Sequence, residues 1–408
     1  MPVRKISHSH PEFISIIYKL ADKCNINLTD YVVVYGCEDV DSFVRGIYRL
    51  RLTGNRDGQK IKLDIVMKWH PDPKTRASLR DAYRREFVFY RHIIPQLLEI
   101  QRNFKNIEGL KIKFPNCVFA SIEYDKEVLA VQKISEFSFR DRFHKMDLQH
   151  VSLVLKHLAK LHALSFALAR NSPKKFREIK ELCSKDVQYG DPGPVPSSMK
   201  YFYEASVNVI LDTAIKKKMK DFGPNILTAL YKCTQSDNYS AICHADCWNN
   251  NVGFKYKGER PVEVIFIDYQ MTRIASPVTD ISYFLYMSTD HDFIKKHYYH
   301  VLDVYYGTLA AVLRQCNLDV NEIYPQSIFQ KHLSEYTVLG LIEALVSMMI
   351  ITAENEEALR MTELKHEDTS EFFCENEKQV RPLFVERVNG IVSDFFEKNY
   401  SLHAILLR

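Results

Sequence analysis

Polar and apolar side chains alternate from Lys60 to Trp69 (Lys-Ile-Lys-Leu-Asp-Ile-Val-Met-Lys-Trp), the period of a strand with one buried face. The β-branched and aromatic run Tyr31-Val-Val-Val-Tyr35 predicts another strand, and Phe43 to Thr53 a third. Gly54-Asn-Arg-Asp-Gly58 then reads as the turn of an antiparallel hairpin. Residues 13–22 predict a short helix. Ala77 to Glu99 predicts a long one, with Phe87, Tyr90, Ile94 and Leu98 at helical spacing. Two further strands are expected at Asn116–Glu123 and Glu127–Ile134.

Past Ile134 the period changes. Val151, Val154, Leu155, Leu158, Leu161, Leu164 and Leu168 mark one apolar helix face across Gln149–Ala169. Lys180–Pro196 is rich in Gly, Pro and Asp and predicts a loop. Two short β-like runs are expected between Ser240 and Ile274, and helix from Ile281 to near the end. Strands first and helices afterwards point to an α+β chain in two lobes, residues 1–133 and 134–408, not to a doubly wound sheet.

Composition narrows the function classes. The net charge is +4 over 408 residues, too small and too dispersed for a nucleic-acid stripe. Lys216-Lys217-Lys218 reads as a solvated helix face. The N-terminal MPVRKISHSHPEF has no apolar segment of the secretory type. Val338–Ala353 is apolar but carries Glu343 and is short for a bilayer, so it reads as a core helix and no membrane span is expected. Nine cysteines without paired spacing read as free thiols in a cytoplasmic protein, and no protein partner is indicated.

The candidate chemistry lies in four places. His244-Ala-Asp246-Cys-Trp-Asn-Asn-Asn251 fits H-x-D-x-x-x-x-N, the spacing of a kinase catalytic loop. Phosphoryl transfer needs a carboxylate to accept the proton of the attacking hydroxyl, the role Asp246 suits; it also needs a polar ligand for Mg2+, which Asn251 suits. His244 would hold the loop. Val264-Ile-Phe-Ile-Asp268 is an apolar strand ending in a second candidate metal carboxylate. Lys68 on a strand and Glu86 on the next helix have the order of the pair that positions ATP phosphates. His297 and His300 match metal spacing only loosely, since a zinc site needs further ligands. Asp280 reads as a helix cap that also braces the catalytic segment. Trp248 reads either as part of the substrate mouth or as core, and the tyrosines from Tyr283 on as core first and pocket lining second.

These residues resemble the ecdysteroid kinase-like family, within the choline kinase and aminoglycoside phosphotransferase group, over roughly residues 30 to 350. The resemblance rests on Ser42 to Arg49, Met67-Lys68, Glu86 with Phe89-Tyr90, Leu158-Ala-Lys-Leu-His-Ala-Leu-Ser165, His244 to Asn251, and Ile267 to Asp280. It implies a protein-kinase-like fold with an antiparallel-sheet N-lobe and a mostly helical C-lobe. It implies ATP and Mg2+ as cofactors, and a hydroxyl of an ecdysteroid or other lipophilic or xenobiotic alcohol as acceptor. It also puts a phosphate loop at Gly36–Ser42, with Ser42 on the nucleotide, and an adenine-holding hinge at Val131–Ile134, with Gln132. The chain departs from the family pattern at Ala245, where glycine is usual, at Cys247, where leucine is usual, and at Gln132, near which an acidic residue is often found. Its phosphate loop has one glycine and three carboxylates. The alternative these changes support is a weak or inactive kinase fold that binds a small molecule. A protein kinase fits less well, because Asp-Tyr-Gln replaces Asp-Phe-Gly and no Ala-Pro-Glu follows.

Overall fold

The computed structural model describes residues 10–35, 46–105, 109–184, 196–363 and 381–408. Helix α1 (Pro11–Lys23) leads into strands β1 (Asn27–Tyr35), β2 (Ile47–Arg56) and β3 (Gln59–Lys68). Helices α2 (Pro73–Ser78), α3 (Arg80–Val88) and α4 (Ile94–Arg102) follow, then β4 (Cys117–Ser121) and β5 (Val128–Gln132). The five strands form one antiparallel sheet in the order β1-β2-β3-β5-β4. Alternation is as the sequence pattern dictates. Tyr48, Leu50, Leu52, Ile65, Met67, Val128 and Ala130 turn to one face, where α1 covers them with Phe13, Ile16, Ile17 and Leu20. Lys68, next to Met67, therefore belongs to the opposite face.

The single helix expected over 77–99 is broken. A π-helical turn, Phe89–Ile93, separates α3 from α4. Pro95 sits in the first turn of α4 and has no N–H to give the carbonyl a regular helix would offer it, so the ladder loosens just before it.

The helical part begins beyond β6 (Ser138–Phe139), with α5 (Leu148–Asn171). All seven residues of the predicted apolar face of α5 are buried. Next comes α6 (Pro173–Ser184), which corrects the loop expected from Lys180: the helix runs on to Ser184, and 185–195 lie outside the described residues. After α7 (Ser197–Asn208), α8 (Thr213–Phe222) and α9 (Ile226–Cys233), four short strands appear where two were expected. They are β7 (Ala241–Cys243), β8 (Val252–Lys257), β9 (Arg260–Phe266) and β10 (Arg273–Ala275). β7 pairs with β10, and β8 lies between β6 and β9. Strands of three residues are too short to show a period in sequence.

The remainder is α10 (Val278–Ser288), α11 (His291–Gln315), α12 (Val320–Ile323), α13 (Gln326–Ile351), α14 (Asn355–Glu363) and α15 (Pro382–Glu397). Every residue of α10 is buried. α13 crosses it at Gly340, where a Cβ would lie 2.5 Å from the Ser282 carbonyl carbon. Helices α5 and α13 are long and apolar enough to cross a membrane, but 78% and 61% of their apolar windows are buried inside the protein. They are core helices here.

Candidate functional site

Lys68 ends β3, where pairing with Ile47 and Leu129 fixes its backbone. Its Nζ donates to Glu86 Oε2 at 2.8 Å and to Asp268 Oδ1 at 2.7 Å. Glu86 projects from α3 and is only 2% exposed. Burial alone would lower the Lys68 pKa; the charges of Asp268 and Glu86 more than reverse that and raise it. Burial, with the Asp268 charge adding to it, lifts the Glu86 carboxyl above its usual range against the pull of Lys68. The group is a cation held between two carboxylates in a half-sealed place. A lysine ammonium has three N–H donors, so one remains for a ligand such as phosphate.

Asp268 follows β9 in the left-handed region, φ 65°. This turns it off the strand, and Arg85 on α3 donates from Nε to the Gln270 carbonyl at 2.6 Å, tying the segment to the same helix. Tyr269, between them, is buried and stacks on Phe89 at 3.6 Å between ring centres, with the His244 ring 4.7 Å away on an inclined plane. The tyrosine hydroxyl has no hydrogen-bond partner among the described residues.

The segment His244–Asn251 lies between β7 and β8. The backbone N–H groups of His244 and Ala245 donate to Asp280 Oδ2 at 2.7 Å and Oδ1 at 2.8 Å. Asp280 is completely buried on α10, and His162 Nε2 reaches its Oδ2 at 3.2 Å. Burial pushes the Asp280 pKa up, and the His162 hydrogen bond with the neighbouring positive charges brings it below its ordinary value. The bracing role expected of Asp280 is present. The capping role is not: Pro277 is the cap residue, and Asp280 sits inside the first turn. His244 Nδ1 accepts the Asp246 N–H at 3.2 Å, so its Nε2–H is the donor to the Ile267 carbonyl at 3.0 Å. Burial lowers its pKa, consistent with this neutral ring. His244 is thus a strut between Asp246 and the residue before Asp268.

Both oxygens of Asp246 are engaged: Tyr283 OH donates to Oδ1 at 2.8 Å and Asn251 Nδ2 to Oδ2 at 2.9 Å. Burial and the nearby Asp268 charge raise the Asp246 pKa to about 7, against those two donors and Lys68. Asn251 spends its Nδ2 on Asp246, which leaves its amide oxygen as a candidate hard ligand. The Ile267 N–H donates to the Asn251 carbonyl at 3.0 Å, so Asn251 and Asp268 are neighbours across one backbone hydrogen bond. One amide oxygen and one carboxylate suit Mg2+, which keeps several waters and takes the rest of its ligands from phosphate.

Five of the residues picked out in sequence, Lys68, Glu86, Asp246, Asn251 and Asp268, therefore converge. Ser42 lies outside the described residues. Gln132 is exposed at the end of β5, where its Oε1 accepts from Asn116 Nδ2 at 3.2 Å beside a cavity of about 860 Å³. Ala245 has φ 69°, the conformation that favours glycine and strains a side chain. Cys243 and Cys247 are buried packing thiols, and Trp248 packs, half-buried, on the main core. His162, Cys243 and Asp280 lie close enough to suggest a metal site, but the oxygens of Asp280 are taken up by backbone N–H groups and burial raises the Cys243 thiol pKa. Sequence reasoning missed the Tyr283 contact with Asp246. It noted Leu158 to Ser165 only as a likeness; there His162 holds Asp280 and Ser165 Oγ accepts the Ile242 N–H at 2.7 Å.

The chain is 11% identical to a Plasmodium vivax ethanolamine kinase, with 88% of this chain and 90% of that one covered and a TM-score of 0.44. It is 12% identical to a choline kinase from Streptococcus pneumoniae (94% and 99% covered, TM-score 0.40) and 13% to one from Cryptosporidium parvum (93% and 99% covered, TM-score 0.41). No curated protein sequence matches. The family model of the ecdysteroid kinase-like family matches residues 39–318, more than two thirds of the chain, and the protein belongs to that family.

Proposed function

We propose that this protein transfers the γ-phosphoryl group of Mg2+-bound ATP to a hydroxyl of a small molecule, an ecdysteroid or another lipophilic or xenobiotic alcohol. Membership of the ecdysteroid kinase-like family relates the chain to small-molecule kinases. The observation that supports the specific reading is the meeting of Lys68, Glu86 and Asp268 with Asp246 and Asn251, brought from four places in the chain.

On this reading Lys68 binds the ATP phosphates while Glu86 fixes its ammonium. Asn251 and Asp268 would hold Mg2+, which would neutralise charge on the phosphates. Asp246 orients the acceptor and takes its proton. The acceptor oxygen forms the new P–O bond, the β–γ bridging P–O bond breaks, and ADP leaves with that electron pair. A carboxyl poised near pH 7 is suited to receive a proton and return it. Ser42 and Gln132 belong to the proposed nucleotide site on family likeness alone. Seven free cysteines among the described residues support a reducing, cytoplasmic setting.

The test is phosphoryl transfer from Mg2+-ATP to a panel of ecdysteroids and polyhydroxylated alcohols. Asp246→Asn abolishes transfer; a variant as fast as wild type sinks the mechanism. One observation favours a second reading, a weak or inactive kinase fold that binds a ligand: Ala245 is strained beside the proposed base. Calorimetric titration with Mg2+-ATP separates the two, since a binding protein of that kind takes the alcohol without nucleotide.

A further inference from the structure

The buried helix α10 faces the catalytic segment with two side chains one turn apart, Asp280 and Tyr283, which spacing puts on the same side of a helix. Asp280 takes the two backbone N–H groups that precede Asp246. Tyr283 reaches the carboxylate itself, 2.8 Å from Oδ1. With Asn251 on Oδ2, the carboxylate cannot turn about its last bond without losing one of two donors. The helix that makes this contact has little room to move, because α13 presses against it at Gly340, where even a methyl group would collide with Ser282.

We propose that Tyr283 is a positioning residue for the phosphoryl-transfer reaction, setting the orientation of Asp246 through its hydroxyl. This rests on the reading of Asp246 as the base. Tyr283 is 8% exposed and its ring packs in the main core, so the fold needs the ring, whereas the base needs the oxygen. The hydroxyl donates to Oδ1, and the second lone pair of that oxygen remains for the acceptor hydroxyl.

The experiment compares wild type, Tyr283→Phe and Asp246→Asn in the full chain. The probe is Mg2+-ATP with water as acceptor, followed as release of inorganic phosphate with enzyme in excess so that slow hydrolysis is seen. Binding of Mg2+ with a non-hydrolysable ATP analogue is measured in parallel by calorimetry. Tyr283→Phe keeps the ring and lowers the hydrolysis rate by about 10- to 100-fold, the range for one lost hydrogen bond to a charged group. Nucleotide affinity stays within about twofold. A purely structural tyrosine would give the reverse, a loss of melting temperature with an unchanged rate. If Asp246→Asn is inactive and Tyr283→Phe matches wild type, the positioning role is overturned and the base survives. If neither variant differs from wild type, or wild type consumes no ATP, the base falls and the role of Tyr283 falls with it.

Discussion

The carboxylate of Asp280 is the place where a change of one atom should do most damage. It accepts three N–H donors, from His244 and Ala245 at 2.7 and 2.8 Å and from His162 at 3.2 Å, and no part of it is exposed. Asp280→Asn keeps the shape but replaces one acceptor oxygen with an NH2 group. If the amide oxygen serves His244 and His162, its NH2 confronts the Ala245 N–H, donor against donor. Flipping the amide moves the conflict to the other side. One hydrogen bond to a charged acceptor, worth about 1.5–3 kcal/mol, is lost, and a buried donor is left unpaired at about 1–3 kcal/mol more. The expected destabilisation is about 3–5 kcal/mol. With m of about 3 kcal/mol/M, the urea midpoint falls by about 1 M or more. Fluorescence reads it well, because Trp248 sits within the same segment. The backbone before Asp246 then shifts, and if Asp246 is the proposed base, its displacement by about 1 Å should cost on the order of 100-fold in the proposed phosphoryl transfer. A variant whose midpoint lies within about 0.2 M of wild type, with a rate within about twofold, refutes the idea that Asp280 holds the catalytic segment.

Two further outcomes concern the half-buried Glu343 and the buried Tyr269. Glu343 on α13 is held by burial at a pKa of about 7, above its value in an unfolded chain. Its protonated form is therefore favoured by folding: the stability this gives is complete below the unfolded value of about 4.3 and is lost as pH rises to about 7. Glu343→Gln should match wild type near pH 4.5 and exceed it above pH 7.5 by up to about 3 kcal/mol in urea unfolding. An equal difference at both pH values would rule this out. Tyr269→Phe removes a buried hydroxyl without a partner among the described residues while keeping the stack on Phe89. It should leave the urea midpoint unchanged or raise it by about 1–2 kcal/mol of stability, and a loss of that size would mean the hydroxyl is bonded after all.

The residues of the site were legible to different depths. Asp246 and Asn251 share one short segment, and Lys68, Glu86 and Asp268 each close or ride an element with a clear period, so their order alone is informative. Tyr283 was not legible as a partner of Asp246. It lies in a helix buried on every side, where no period marks the face that meets the catalytic segment. The Asp280–His162 contact joins residues 118 apart, and nothing local to either announces the other. The same division runs through the fold. The alternation of β2 and β3 and the face of α5 were plain, whereas β7 and β10 exist because each pairs with the other. The break at Phe89–Ile93 had a visible cause in Pro95, but the helical period of Phe87, Tyr90, Ile94 and Leu98 overrode it in the reading.

Ala245 links the strain of the His244–Asn251 segment to the groups that hold it. A left-handed alanine costs about 1–2 kcal/mol where a glycine would cost nearly nothing. The segment nonetheless keeps that conformation. The Ala245 N–H is locked on Asp280, the next N–H is held by His244, and the methyl group is buried. Local strain of this kind persists only where surrounding contacts outweigh it. Most of the contacts that outweigh it come from α10, α5 and the strand end before Asp268, and His244 adds one from within the segment. The backbone conformation before Asp246 consequently depends on α10, α5 and the strand end before Asp268 as well as on the segment itself. The left-handed alanine is compatible with the role proposed for Asp246 so long as Asp280, His162 and His244 keep their three-way grip.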